Sequence, residues 1–217
     1  MRIDPAGWPF VLGALAVAVA TTLAMHPAWA VPFVVLTGFF LFFFRDPDRT
    51  TTAALTDVVS PADGRVVVAG DADPAAAPPG QWRQVSIFLS PMDVHVNRVP
   101  VSGRILRVEY KPGKFLPAYK REAATENERN EVCIDHAGQT IVCRQVVGVL
   151  ARRIVCSVPA GAEVRAGERF GVMKFGSRMD IFVPTGATIA VKVNDKVVGG
   201  VTVIARLASR AGAPLER

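Results

Sequence analysis

Phe170-Gly171-Val172-Met173-Lys174-Phe175-Gly176-Ser177-Arg178-Met179-Asp180-Ile181-Phe182-Val183-Pro184 sets a Gly-Ser turn between two short apolar segments. Phe170 to Lys174 and Met179 to Val183 are too short for stable helices, rich in β-branched and aromatic residues, and bounded by Gly and Pro, so both read as strands. The same texture recurs outward along the chain: Val58-Val59, Gly64 to Ala69, Gln84 to Leu89, Gly103 to Tyr110, Glu131 to Ile134, Thr140 to Val149, Arg153 to Val158, Thr188 to Val193 and Gly200 to Ala205. No long stretch after Phe44 carries a clean 3.6-residue period. The pattern predicts a mainly β domain of Greek-key or barrel-sandwich type. Asp71 to Gly80, rich in Ala and Pro, reads as a solvent loop. Lys111 to Asn130 is a long polar insertion, and loops of that length in compact domains are often functional.

Upstream the solvent changes. Between Pro5 and Phe44 there is no Lys, Arg, Asp or Glu, and the run divides at His26-Pro27. Gly7 to Met25 and Trp29 to Phe44 each approach the ~20 apolar residues of a bilayer-spanning helix. They predict an N-terminal hydrophobic helical hairpin over residues 1–45, followed by a β domain over 46–217. A single cleaved signal peptide fits poorly, because the apolar stretch is too long and the second run would have no role. Trp8, Trp29 and the cluster Phe39, Phe40, Phe42, Phe43 and Phe44 suit an interface, and Arg45 and Arg49 follow at once, which puts the β domain on the cytoplasmic side of a cell inner membrane. The net charge of +6 is scattered along the 217 residues. Nucleic acid is therefore excluded as a first choice, and an anionic lipid surface fits better. Cys133, Cys143 and Cys156 lack metal-ligand spacing and are odd in number, so reduced, buried thiols are expected and no metal.

Gly176-Ser177 alone is an ordinary turn pair. Of the three histidines, His26 lies in the apolar hairpin, which leaves His95 and His136 as acid/base candidates. His95 alternates with Val94 and Val96, opposite to them on a strand. By itself it is as readily a structural histidine, and Asp63 as readily an Asx-turn residue.

Context raises these residues. Phe43-Phe44-Arg45-Asp46-Pro47-Asp48-Arg49, Ser60-Pro61-Ala62-Asp63-Gly64, Phe88-Leu89-Ser90-Pro91-Met92-Asp93-Val94-His95-Val96-Asn97-Arg98-Val99-Pro100, Asn127-Glu128-Arg129-Asn130 and Phe175-Gly176-Ser177 follow one another along nearly the whole chain. In these motifs the chain resembles the short, prokaryotic-type phosphatidylserine decarboxylases. The resemblance implies a zymogen that cleaves itself between Gly176 and Ser177, converts Ser177 into a covalent pyruvoyl cofactor, and uses that carbonyl to form a Schiff base with its phospholipid substrate. Phosphatidylserine would be decarboxylated to phosphatidylethanolamine and CO2. A serine hydroxyl beside a glycine carbonyl suits the first step if a base takes its proton and the peptide is strained.

The resemblance also implies His95 as acid/base and Asp63 as the residue that orients it. The longer bacterial members carry a second histidine three residues on, where this chain has Arg98, so both stages fall to His95. Arg98, Arg129 and Lys174 are candidates for binding the substrate's anionic groups, and Asn130 for a hydrogen bond to the head group. The two cleavage fragments are expected to stay associated, with a homodimer as the default assembly. A competing reading is a membrane-tethered biotinyl or lipoyl carrier domain modified at Lys174, because Val172-Met173-Lys174-Phe175 approximates the hairpin of such carriers. A structural adaptor would need long heptads, and none occur.

Overall fold

The computed structural model describes residues 2–149, 154–174 and 176–208. An N-terminal pair of helices stands on a mainly β body. Asp4 caps a 3-10 turn by accepting from the Ala6 amide at 2.9 Å, and helix α1 (Trp8–Ala24) follows with a proline in its first turn. Met25 breaks it, the His26 ring accepts from the Ala28 amide at 3.3 Å, and a 3-10 turn over Pro27–Ala30 leads into α2 (Val31–Phe43). The expected second helix is thus only 13 residues long, because the segment around Pro27 spends its first turn reversing the chain. Pro5–Ala24 is the one helix long and apolar enough to cross a membrane among the described residues. Arg45 closes α2 by donating to the Phe42 carbonyl at 2.7 Å.

The strands are β1 (Arg2–Ile3), β2 (Arg45–Asp46), β3 (Asp57–Val59), β4 (Gly64–Asp71), β5 (Trp82–Leu89), β6 (Val96–Arg98), β7 (Gly103–Lys111), β8 (Arg129–His136), β9 (Gln139–Val146), β10 (Ile154–Cys156), β11 (Glu163–Val164), β12 (Arg169–Met173), β13 (Ser177–Pro184), β14 (Thr188–Ile189), β15 (Lys196–Val197) and β16 (Val203–Arg206). Eight of them form one curled antiparallel sheet in the order β11-β7-β8-β9-β13-β5-β4-β15. Two three-stranded sheets, β10-β12-β6 and β14-β16-β3, complete the body, and β1 pairs with β2 at the foot of the helices. The expected mainly β, barrel-sandwich-like fold behind an apolar helix pair is what the chain forms.

Strand β13 lies at the centre of the large sheet. It pairs with β5 from Ser177↔Leu89 to Pro184↔Trp82 and with β9 from Arg178↔Val146 to Phe182↔Val142. Alternation sends Met179, Ile181 and Val183 into the main core beside Ile87, Leu89 and Ile141. Ser177 shares their row. The opposite row is buried as well, because the 72–81 loop lies over it: Ala72, Ala77 and Trp82 pack on Phe182 and Val142, and Arg144 donates to the Ala76 carbonyl at 2.6 Å. Two charge pairs sit under that cover, Arg178–Asp180 at 2.6 Å and Arg144–Glu131 at 2.9 Å.

Differences from the expected strands have local causes. Thr140 to Val149 was expected to be one strand, but β9 ends at Val146, where the Val147 carbonyl turns to accept from the Asn127 side chain at 2.8 Å. Strands β6, β11 and β15, of two or three residues each, are below the length at which alternation can be read. The 111–130 insertion is folded: Lys114 bridges Asn127, and a helical turn α3 (Ala123–Glu126) closes it. Arg153 and Phe175 lie outside the described residues.

Candidate active site

The Ser90-Pro91-Met92-Asp93 stretch folds into a turn with reciprocal bonds. Asp93 N–H donates to the Ser90 carbonyl at 2.9 Å, and the Ser90 amide donates to the Asp93 carboxylate at 2.8 Å. This turn aims the Asp93 carbonyl at His95 Nδ1, 2.9 Å away. A carbonyl only accepts, so Nδ1 carries the ring proton and Nε2 keeps its lone pair. Nε2 in turn accepts from the Gly176 amide at 3.4 Å. The two contacts agree on one neutral tautomer. His95 precedes β6 and is only 1% exposed, with its ring 4.1 Å from that of Phe43, at the end of α2. Burial holds its pKa down at about 4, against a smaller upward pull from the Asp93 carbonyl.

Gly176 meets this ring through its amide, and Ser177 follows it at the start of β13. Gly176 has φ +70°, in the left-handed region that glycine enters without a Cβ penalty. Ser177 is fully buried, and its hydroxyl has no hydrogen-bond partner among the described residues. A buried orphan hydroxyl costs about 1–3 kcal/mol, an expense that accumulates at functional sites. The Gly176 carbonyl oxygen lies against the backbone of Gly148. A nucleophile, the carbonyl before it and a neutral base thus converge on one turn.

Asp63, expected to orient His95, makes no hydrogen bond to its ring among the described residues. Its carboxylate is held by Arg49 through two hydrogen bonds of 2.6 and 2.7 Å and by the Gly199 amide at 2.8 Å, while the Asp93 carbonyl takes the ring nitrogen. Asp63 reaches His95 only through its charge. Arg98, expected at the substrate, is buried in an ion pair with Asp46 at 2.8 Å and also donates to the Gly167 and Pro47 carbonyls. Arg169 joins the same carboxylate. Arg98→Ala is therefore expected to lower the unfolding free energy by roughly 3–5 kcal/mol, as breaking a buried pair does. Urea denaturation checks this; an unchanged midpoint would mean the guanidinium is free for a ligand after all.

Asn130 donates to the Gln145 side chain at 3.1 Å, and Gln145 donates to Asn97 at 2.9 Å, a buried amide chain linking β8, β9 and β6. Arg129 donates to the Thr125 and Asn127 carbonyls and so braces the insertion. Lys174 sets its ammonium 4.6 Å from the Phe10 ring and 5.9 Å from that of Phe44, a cation–π arrangement between β12 and the helix pair. His136 has both ring nitrogens 2.6 Å from backbone carbonyls, those of Ser102 and Leu55, and is a strut. Sequence reading missed Phe43 as a wall of the His95 site, Arg49 as the partner of Asp63, and Gly148. The first two stand in the motif at 43–49; Gly148 gave no signal.

Comparison with known proteins places the chain among the decarboxylases, which are carboxy-lyases. The family model for phosphatidylserine decarboxylase matches residues 36–205. Relatives named phosphatidylserine decarboxylase proenzyme include one from Nitrosomonas europaea, 43% identical over 201 residues (92% of each chain). One from Cupriavidus taiwanensis is 42% identical over 204 residues (93% of this chain, 94% of the relative), and one from Solibacter usitatus 41% over 210 residues (97% and 99%). This chain belongs to the phosphatidylserine decarboxylase family.

Proposed function

We propose that the chain is a proenzyme that cuts itself between Gly176 and Ser177 and then decarboxylates phosphatidylserine to phosphatidylethanolamine. The observation that carries this reading is the buried, unpartnered Ser177 hydroxyl, preceded by a glycine in the left-handed region whose amide meets the bare nitrogen of His95. Deprotonated by His95, the Ser177 oxygen adds to the Gly176 carbonyl carbon. The carbon–nitrogen bond breaks, the nitrogen takes a proton, and Gly176 becomes esterified to the Ser177 oxygen. Loss of the Ser177 α-proton expels Gly176 as a carboxylate and leaves dehydroalanine. One water enters and one ammonia leaves, which gives a pyruvoyl group at residue 177.

That group supplies a ketone that captures the substrate amine and accepts electrons as CO2 departs. The residues around it do the rest. His95, dry and neutral, stores and returns protons at Nε2. Phe43 and the Asp93 carbonyl fix the ring, and Asp63, largely neutralised by Arg49, tunes its field.

Leu12, Leu23, Trp29, Val34 and Val35 are exposed on the helix pair, a band of apolar surface suited to lipid rather than water. With Arg45 and Arg49 at its foot, the pair anchors the body to the cytoplasmic face of an inner membrane. Phe43 joins the anchor to the site, so a phospholipid reaches residue 177 from the bilayer. The carrier alternative is disfavoured by Lys174, which rests over aromatic rings where a carrier lysine must swing free.

Intact-mass measurement of the purified chain under denaturing conditions tests the proposal. Two fragments are expected, the smaller beginning at residue 177 and reacting with a ketone reagent. A single folded, unbroken chain would sink it.

A further inference from the structure

Gly148 stands where β9 has just ended, and its φ lies outside the left-handed region. No left-handed backbone therefore reserves the position for glycine. The space does. A Cβ built there would overlap the Gly176 carbonyl oxygen outright, and would stand 3.2 Å from the Gly176 carbonyl carbon and 3.3 Å from the Ala118 methyl. Gly176 is the reverse case, with positive φ and nothing among the described residues within 4 Å of its missing Cβ. Two glycines at one peptide bond thus serve two needs, the turn at 176 and the room at 148.

Neither wall of this contact can yield easily. On one side Ser177 is laddered to Leu89 and Arg178 to Val146, while the Gly176 amide is tied to His95. On the other, the Val147 amide donates to the Glu128 carbonyl at 3.1 Å, and the Val147 carbonyl accepts from Asn127 at 2.8 Å. Asn127 is fully buried and also exchanges two bonds with the Leu116 backbone, at 2.9 and 2.8 Å. The 111–130 insertion is thereby pinned to the residue before Gly148.

We propose that Gly148 is a positioning residue for self-cleavage: its bare backbone seats the Gly176 carbonyl for attack by Ser177, and Asn127 fixes that seat from the insertion. This rests on the self-cleavage reading above. A displacement near 1 Å at a reacting carbon costs about 100-fold in rate, and a methyl at 148 must move the carbonyl on that scale or more.

The test follows cleavage of the full chain by intact mass, with folding followed by circular dichroism. Gly148→Ala is expected to fold and to cleave at least ~100-fold more slowly than wild type, and neutral hydroxylamine is expected to release no fragment, because the block precedes the ester. Removing the second wall with Ala118→Gly in the same chain is expected to restore part of the rate. Gly148→Ala cleaving at the wild-type rate overturns the inference, as does fragment release by hydroxylamine, since either means that the carbonyl was reached. Loss of the native spectrum in both the single and the double variant also overturns it, because the methyl would then act on folding. Failure of the wild type itself to split would instead sink the self-cleavage reading.

Discussion

Ser177→Ala is expected to remain one unbroken polypeptide and to show no decarboxylation. Alanine removes the only atom at this position able to add to the Gly176 carbonyl, and with it the source of the ketone. The side chain lies in the core row of β13 with Met179 and Ile181, so a methyl fits where the hydroxymethyl was. Because the hydroxyl has no partner among the described residues, its removal orphans no other group and relieves a buried unsatisfied polar atom. The variant should therefore melt no lower than another unsplit variant. A melting temperature several degrees lower would show that the hydroxyl was structurally bonded and weaken the case for a nucleophile held in reserve. Mass analysis and calorimetry on one preparation settle both points.

His95→Ala is expected to slow self-cleavage by ~100- to 10,000-fold, the usual contribution of a positioned general base, and added imidazole should recover part of the rate from the cavity beside Phe43. Acid should imitate the substitution. Burial lowers the His95 pKa to about 4, so cleavage should be flat from about pH 5.5 to 8 and fall only as pH drops through that value. The same shift bears on stability with a definite sign. Between 6.5 and about 4 the unfolded chain binds a proton that the folded chain refuses. Stability is then unaffected by this group above 6.5, declines through that window as pH falls, and loses roughly 3 kcal/mol by its lower end. An inflection near 6.5 in the cleavage profile would mean a hydrated imidazole and contradict the site described.

Much of this architecture was readable in one dimension. The uncharged run from Pro5 to Phe44 marks the helix pair by its apolar length, and the short Val- and Ile-rich runs bounded by Gly and Pro mark the strands. Gly176-Ser177 and His95 were legible through the motifs around them. The partners of Asp63 were not legible, because Arg49 lies 14 residues before it and the Gly199 amide 136 residues after it. Arg98, a candidate for the substrate's anionic groups, and Arg178, which the sequence does not single out, are both held in buried ion pairs. They are buried because a connector and the 72–81 loop happen to cover them. Gly148 was invisible for a different reason: its role depends on an atom 28 residues away, and a glycine needed for space carries no signature in its neighbours.

The position of residue 177 at the head of the sheet's central strand has a further consequence for the lifetime of the protein. On the self-cleavage proposed above, the new end would be made inside a body that has already folded, whereas chain ends ordinarily lie at the surface. Such a cut would divide the sheet between two molecules, the shorter carrying β13 to β16. Unfolding would then no longer reverse by a first-order step, since the halves would have to find each other again at a rate set by their concentration. At cellular dilution the mature form would be lost irreversibly once its strands part, and its endurance would rest on how seldom they do.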